Sequence, residues 1–206
     1  MANDDHAVDV FMSGECYRFL AACFYQLKKE MLVEEQLLPS LVSNLQHVCP
    51  DASPFAQHML DSLSSYTDEE LAVEYARLFV GPFGLKAPPY GSIYLGNDHT
   101  VMGPSTIETI AFYEQEGLAR DEGFHELPDH IAVELEFMYY LGYREVEALQ
   151  KNDKVLAEAY RLKQDQFRAS FLCRWVPSFC VNIKNETDND FYKALADCVA
   201  TFIKAS

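Results

Sequence analysis

Apolar residues recur along this chain with a helical period almost throughout. Phe11, Phe19, Leu20, Cys23, Phe24 and Leu27 fall on one face and predict a helix from about Val8 to Lys29. A second helical segment runs to about Val48, with Pro39 starting or kinking it. CPDASP (Cys49 to Pro54) reads as a turn, and a short helix is predicted from Phe55 to Leu63. Thr67-Asp68-Glu69-Glu70 has the T-x-x-E form of a capping box and opens a helix with Leu71, Tyr75, Leu78 and Phe79 inward.

From Gly81 to Pro104 the character changes. That segment carries nine of the chain's eighteen Gly and Pro residues. It reads as a long loop, either a functional one or an Ω-like connection pinned by its own aromatics. Helical periodicity then resumes. Ser105 to Glu108 is a second S-x-x-E box, with a helix running toward Gly117 and a loop at Gly123. A helix from near Asp129 to about Gln150 buries Ile131, Leu135, Met138, Tyr139 and Gly142. Asp153 caps the next one, whose inner side is Leu156, Tyr160, Phe167, Phe171 and Leu172, and Pro177 interrupts it after Trp175. Thr187 to Asp190 opens a last helix, Phe191 to Lys204. No segment has a convincing strand period. The expected class is all-α, one helical domain over residues 1–206 with a long loop at about 81–104.

Composition supports a real core: 49% of the 206 residues are hydrophobic. No run of eighteen apolar residues appears, and the acidic N-terminus lacks a secretory pattern, so a cytoplasmic location and no membrane insertion are expected. The six cysteines form no C-x-x-C pair. Cys16 and Cys23, like Cys173 and Cys180, are spaced as small core hydrophobes.

Charge narrows the partners. The net charge of −16 disfavours nucleic acid and anionic membrane and favours a basic partner. Between Lys86 and Arg144 the only Lys or Arg is Arg120, against ten acidic residues from Asp98 to Glu136. They are either solvated helix faces or a field that attracts a cation.

One stretch holds the candidate chemistry. ELPDHIAVELEFM (Glu126 to Met138) puts Asp129 and His130 after a proline, with Glu134 four residues beyond the His. Asp129 is placed to cap the helix, and His130 and Glu134 share a face and can pair. A metal site would use His130, Glu134 and Asp129, but H-x-x-x-E is not the zincin order and no second His-rich helix completes the set. A hydrolase would set His130 and nearby carboxylates beside Ser92 or Ser105, neither in a G-x-S-x-G elbow. No phosphate-binding glycine loop is present.

Two segments resemble a known family. EYARLFVGPFGLKAPPYGSIYL (Glu74 to Leu95) and LPDHIAVELEFMYYL (Leu127 to Leu141) are similar to the signature of the TorD/DmsD chaperones, with NarJ more distant. FLCRWVPSF near Phe171 resembles the family's late helix. A family His near that Trp has Leu172-Cys173-Arg174 here, so its role does not carry over. The resemblance implies an all-helical fold and no catalysis. It implies a groove binding the twin-arginine signal peptide of a molybdopterin-containing oxidoreductase, protecting the apoenzyme and delaying export until cofactor is in. The site residues it implies are Gly81, Pro88, Pro89, Tyr90, Ser92, Tyr94, Asp129, His130, Glu134 and Phe137. Molybdopterin belongs to the client. Guanine-nucleotide binding and a monomer or domain-swapped homodimer are further family associations. On this reading Asp129 caps and also presents charge, His130 and Glu134 flank the groove, and Tyr90, Tyr94, Phe83, Phe137 and Leu141 line an apolar trough.

Overall fold

Helices form where the apolar period places them, and the departures have local causes. The computed structural model describes residues 2–26, 28–33, 36–81, 84–96, 100–119 and 126–206, with backbone alone for 2–4. Leu27, Phe83, Asp98, Arg120, Asp121, Glu122 and Gly123, all invoked above, lie outside the described residues.

Helix α1 spans Ala2–Ala22, not Val8 to Lys29. It ends in tightened turns, with Phe24 N–H donating to the Ala21 carbonyl and Tyr25 N–H to Ala22, which deliver Cys23 and Phe24 into the core. Phe11, expected inside, is exposed. Helices α2 (Lys29–Val33), α3 (Leu37–Val48) and α4 (Ser53–Ser62) follow. Helix α5 (Asp68–Tyr75) opens on the predicted box: Thr67 Oγ1 accepts from Glu70 N–H, and Glu70 accepts from Thr67 N–H. It widens into a π-helical turn, Ala76–Val80, closed by Gly81 N–H donating to the Ala76 carbonyl at 2.7 Å. Gly81 sits at φ +43, and a Cβ there would stand 2.8 Å from the Gly84 carbonyl oxygen, so a side chain fits neither its backbone nor its space.

The expected loop contains a short helix, α6 (Gly91–Leu95). Helix α7 (Pro104–Gln115) starts one residue before the predicted box. Pro104 occupies its first turn, so Gly103 is the cap position and Ser105 lies inside, its hydroxyl unpartnered. Helix α8 (Ile131–Gln150) runs along α1 and α9 (Lys154–Phe167), and buries Ile131, Leu135, Met138 and Leu141. Asp153 caps α9 as expected, but Leu156 faces solvent. Pro177 does not interrupt the chain. A π-helical turn, Arg168–Leu172, leads directly into α10 (Cys173–Glu186), and Pro177 sits within it. Asn189 caps α11 (Asp190–Ala205).

Trp175, Phe24, Phe167, Phe171, Phe179 and Phe202 are among the large side chains filling one core. All six cysteines are free. Five are buried as expected, whereas Cys173 is exposed. Among the described residues the only strand-like pairing is one isolated bridge, Tyr90 with His130, and no helix is long and apolar enough to cross a membrane. The class is all-α.

Candidate functional site

That bridge joins the two motif segments. Ile131 N–H donates to the Pro89 carbonyl and Gly91 N–H to the Asp129 carbonyl, each at 2.8 Å. The start of α6 is thereby laid against the start of α8, and the site is built on this seam.

Asp129 does not cap α8. Its Oδ2 accepts the Ser92 N–H, 37 positions away in sequence, at 2.7 Å. The cap is His130, with extended backbone and a ring Nδ1 that accepts the Ala132 N–H at 3.1 Å. Because Nδ1 accepts, the ring proton resides on Nε2 and the imidazole is neutral. Burial agrees, pushing the His130 pKa down to about 4 against the opposing pull of Asp129. Tyr25 stacks nearly parallel on the ring and Tyr90 meets it edge-on, while Nε2 lies 3.9 Å from a Glu126 oxygen.

Glu134 does not pair with His130. It points inward, fully buried, where Oε2 accepts the Trp175 Nε1–H at 2.9 Å. Burial first, and the Asp129 charge after it, raise the Glu134 pKa well above the usual carboxylate range; the indole bond opposes this. Gly91 passes over both groups. A Cβ there would stand 3.1 Å from Trp175 Nε1 and 3.4 Å from Glu134 Oε1. Tyr94 stacks on Trp175 at 5.5 Å. Three buried polar atoms of this seam, Ser92 Oγ, Asp129 Oδ1 and Glu134 Oε1, have no hydrogen-bond partner.

The other expected residues divide. Tyr90, Tyr94 and Pro88 are half-buried at the surface of the seam, and Pro89 is buried beneath it. Gly81 ends the π turn before the loop. Phe137 and Leu141 line no trough. Phe137 packs on Tyr113 and Phe167 at 4.6 and 4.8 Å, and Leu141 is wholly buried, because this side of α8 faces other helices. Asp129 and Glu134 are likewise covered by α6, so in this conformation neither shows charge at the surface. Part of the acidic field is internally engaged: Glu116 pairs with Lys163, and Glu136 accepts the Tyr25 hydroxyl at 3.1 Å.

Three site residues carried little sequence signal. Trp175 lies in the FLCRWVPSF segment and is the chain's single Trp, so a signal existed. Tyr25 and Tyr113 had none. Tyr113 reaches from α7 to donate to the Pro128 carbonyl at 2.8 Å, a contact fixed by helix packing alone. Chemically, the seam is a pair of buried carboxyl groups beside a neutral imidazole. No base is hydrogen-bonded to the Ser92 hydroxyl, and no group of three metal-ligating side chains gathers among the described residues. Concavities of about 550 and 560 Å³ lie elsewhere, one between α1, α8 and α9 with Glu145 and Arg168, the other beside α5 with Glu70 and Arg77.

The family model for the nitrate reductase delta subunit matches residues 45–181, which include the whole seam. The chain belongs to this family. Curated proteins similar to this chain include the chaperone protein TorD of Photobacterium profundum, 33% identical over 133 residues, which are 65% of this chain and 60% of that one. TorD of Vibrio parahaemolyticus is 30% identical over 156 residues, covering 73% of this chain and 71% of its own. The Tat proofreading chaperone DmsD of Salmonella typhi is 26% identical over 132 residues, 64% and 57% of the two chains. The fold agrees with a protein from Archaeoglobus fulgidus described as a redox enzyme maturation protein, with a TM-score of 0.56 over 93% of both chains at 21% identity. The TorD/DmsD resemblance of the motif segments and the all-helical fold are thus both borne out.

Proposed function

We propose that this delta-subunit family protein is a chaperone for a molybdoenzyme. It binds the client's twin-arginine leader, shelters the apoenzyme while molybdopterin is inserted, and delays export until then. The role needs no turnover and no cofactor of its own. The observation that carries the reading is the carboxyl pair, Asp129 and Glu134, buried at the junction of the two motif segments, with one unpartnered oxygen each and no ion pair among the described residues. A receptor for guanidinium groups needs carboxylates, since the two can pair through parallel charge-assisted hydrogen bonds. Tyr90, Tyr25 and Glu126, at the rim, are the first groups a leader meets. The acidic surface of the chain steers a basic leader toward them. Each element of the seam is complete within one chain, so a monomer and an exchanged dimer would carry the same receptor. Calorimetric titration with a synthetic twin-arginine leader, and with one whose arginines are both alanine, tests the proposal. Saturable binding that requires the arginines and weakens with salt is expected; equal binding of both peptides, or of neither, overturns it.

A further inference from the structure

The burial of the two carboxyls has a consequence for how a leader binds. Asp129 is 1% exposed and Glu134 wholly buried, and the first turn of α6 lies between them. From α6 they face the Gly91 and Ser92 amides and the Ser92 hydroxyl. From α7 comes the Tyr113 phenol, whose O–H is committed to the Pro128 carbonyl. From α10 comes the Trp175 indole, which gives one N–H to Glu134. From the start of α8 comes His130, neutral because its Nδ1 is an acceptor. None of these is a cation. Two carboxylates that feel each other's charge in such surroundings lack the solvent that would offset it, so one of them keeps its proton. Glu134 is that one. It is the more deeply buried and has a single indole donor, whereas Asp129 faces an amide at 2.7 Å. The direction of the Glu134 pKa agrees.

We infer that Glu134 is a neutral acid in the free protein and gives up its proton when a guanidinium of the leader seats between Glu134 Oε1 and Asp129 Oδ1, so that leader recognition is coupled to proton release. The step balances: the Glu134 O–H bond breaks, the proton leaves to solvent, and the carboxylate left behind is neutralised by the arriving guanidinium. Access runs through α6, a five-residue helix whose first turn is tied to Asp129 by the Gly91 and Ser92 N–H groups. The guanidinium donates to Asp129 Oδ1, which has no partner in the free protein, beside the Ser92 N–H that Oδ2 accepts. His130 contributes no proton, being neutral already. The consequence is an affinity that rises with pH while Glu134 is protonated in the free state, and a receptor that favours guanidinium over apolar or anionic groups.

This rests on the leader-binding reading, and the test separates the two. An N-acetylated, histidine-free twin-arginine leader is titrated into the full chain at pH 7 in phosphate and in Tris, whose ionisation enthalpies differ widely. The slope of observed enthalpy against ionisation enthalpy counts the protons exchanged. A release approaching one proton per leader is expected, with affinity rising by up to about tenfold per pH unit. Glu134→Gln is expected to bind more weakly and with a slope near zero. Binding with no buffer dependence overturns the proton coupling and leaves leader recognition standing; no binding in either buffer overturns both. A slope unchanged in Glu134→Gln overturns the assignment to Glu134. Should that variant not fold, the wild-type slope and pH series decide alone.

Discussion

Glu134→Gln carries a second prediction, independent of any ligand. The side chain is wholly buried beside Asp129, and its pKa is raised in the folded state. An acid whose folded pKa exceeds its unfolded one must take up a proton on folding. Its contribution to stability is therefore undiminished below the unfolded value, about 4.3, and is lost progressively as pH rises toward the folded value. The loss has a limiting slope of about 1.4 kcal/mol per pH unit for one proton. Across two pH units inside that window the wild type loses up to about 2.7 kcal/mol through this group, and Gln, which does not titrate, loses none. Glu136 and Glu145 also have raised pKa values, from burial, but both are present in the two proteins and cancel in the difference. Gln keeps an acceptor for Trp175 Nε1–H, so the packing is preserved. Urea unfolding of both proteins at pH 5.5, 6.5 and 7.5, followed by far-ultraviolet circular dichroism, reads the difference directly. The variant should gain on the wild type at each step. A difference that stays constant within about 0.5 kcal/mol from pH 5.5 to 7.5 would refute the reasoning, because Glu134 would then be ionised in the folded state as it is in the unfolded.

Other substitutions test the local architecture. His130→Ala removes the α8 cap and should lower stability by about 1–2 kcal/mol, whereas His130→Asn, which restores a cap acceptor, should recover about half in urea unfolding. Gly81→Ala forces a side chain onto a left-handed backbone and against the Gly84 carbonyl, and should cost about 2 kcal/mol, seen as a drop of about 4–8 °C in melting temperature. Thr67→Ala should cost about 1 kcal/mol by breaking a formed capping box, while Ser105→Ala in the box that does not form should fall within about 0.5 kcal/mol of wild type. Gly91→Ala brings a Cβ to 3.1 Å from Trp175 Nε1, so its cost in urea unfolding should shrink by about 1 kcal/mol in a Trp175→Phe background, and additive costs would refute the close crossing.

Features whose cause is local were legible in the sequence. The Thr67 box and the Asp153 cap formed where their residues stand, since a cap needs only its own next turn. The failures share the opposite property. Ser105 has the right box spacing, but Pro104 fixes helical φ one residue earlier and draws the cap to Gly103. Asp129 and His130 are both able to cap α8; which one does is decided by Ser92, which claims the Asp129 carboxylate from far along the chain. Pro177 does not end its helix: it stands five residues after the π turn, within α10, and the helix runs on to Glu186. In the same way the motif residues were found, but the inward aim of Glu134 and Phe137 depends on α10 and α7, which no periodicity of α8 reveals.

The placement of the motif explains why recognition and scaffolding cannot be assigned to separate residues here. Asp129 receives both amides of the α6 first turn, one on its carbonyl and one on its carboxylate. His130 is at once the α8 cap and a ring packed on Tyr25 and Tyr90. Replacing either by Ala frees a buried N–H as well as altering the rim, so a lost partner in such a variant does not by itself identify a contact. A receptor of this kind holds its carboxyls away from water, where an unpaired charge is most costly and a matched one most rewarded. On the proposed reading, selectivity for a cationic leader rests on two unpartnered oxygens, Asp129 Oδ1 and Glu134 Oε1, which a ligand without a donor would cover and leave unsatisfied.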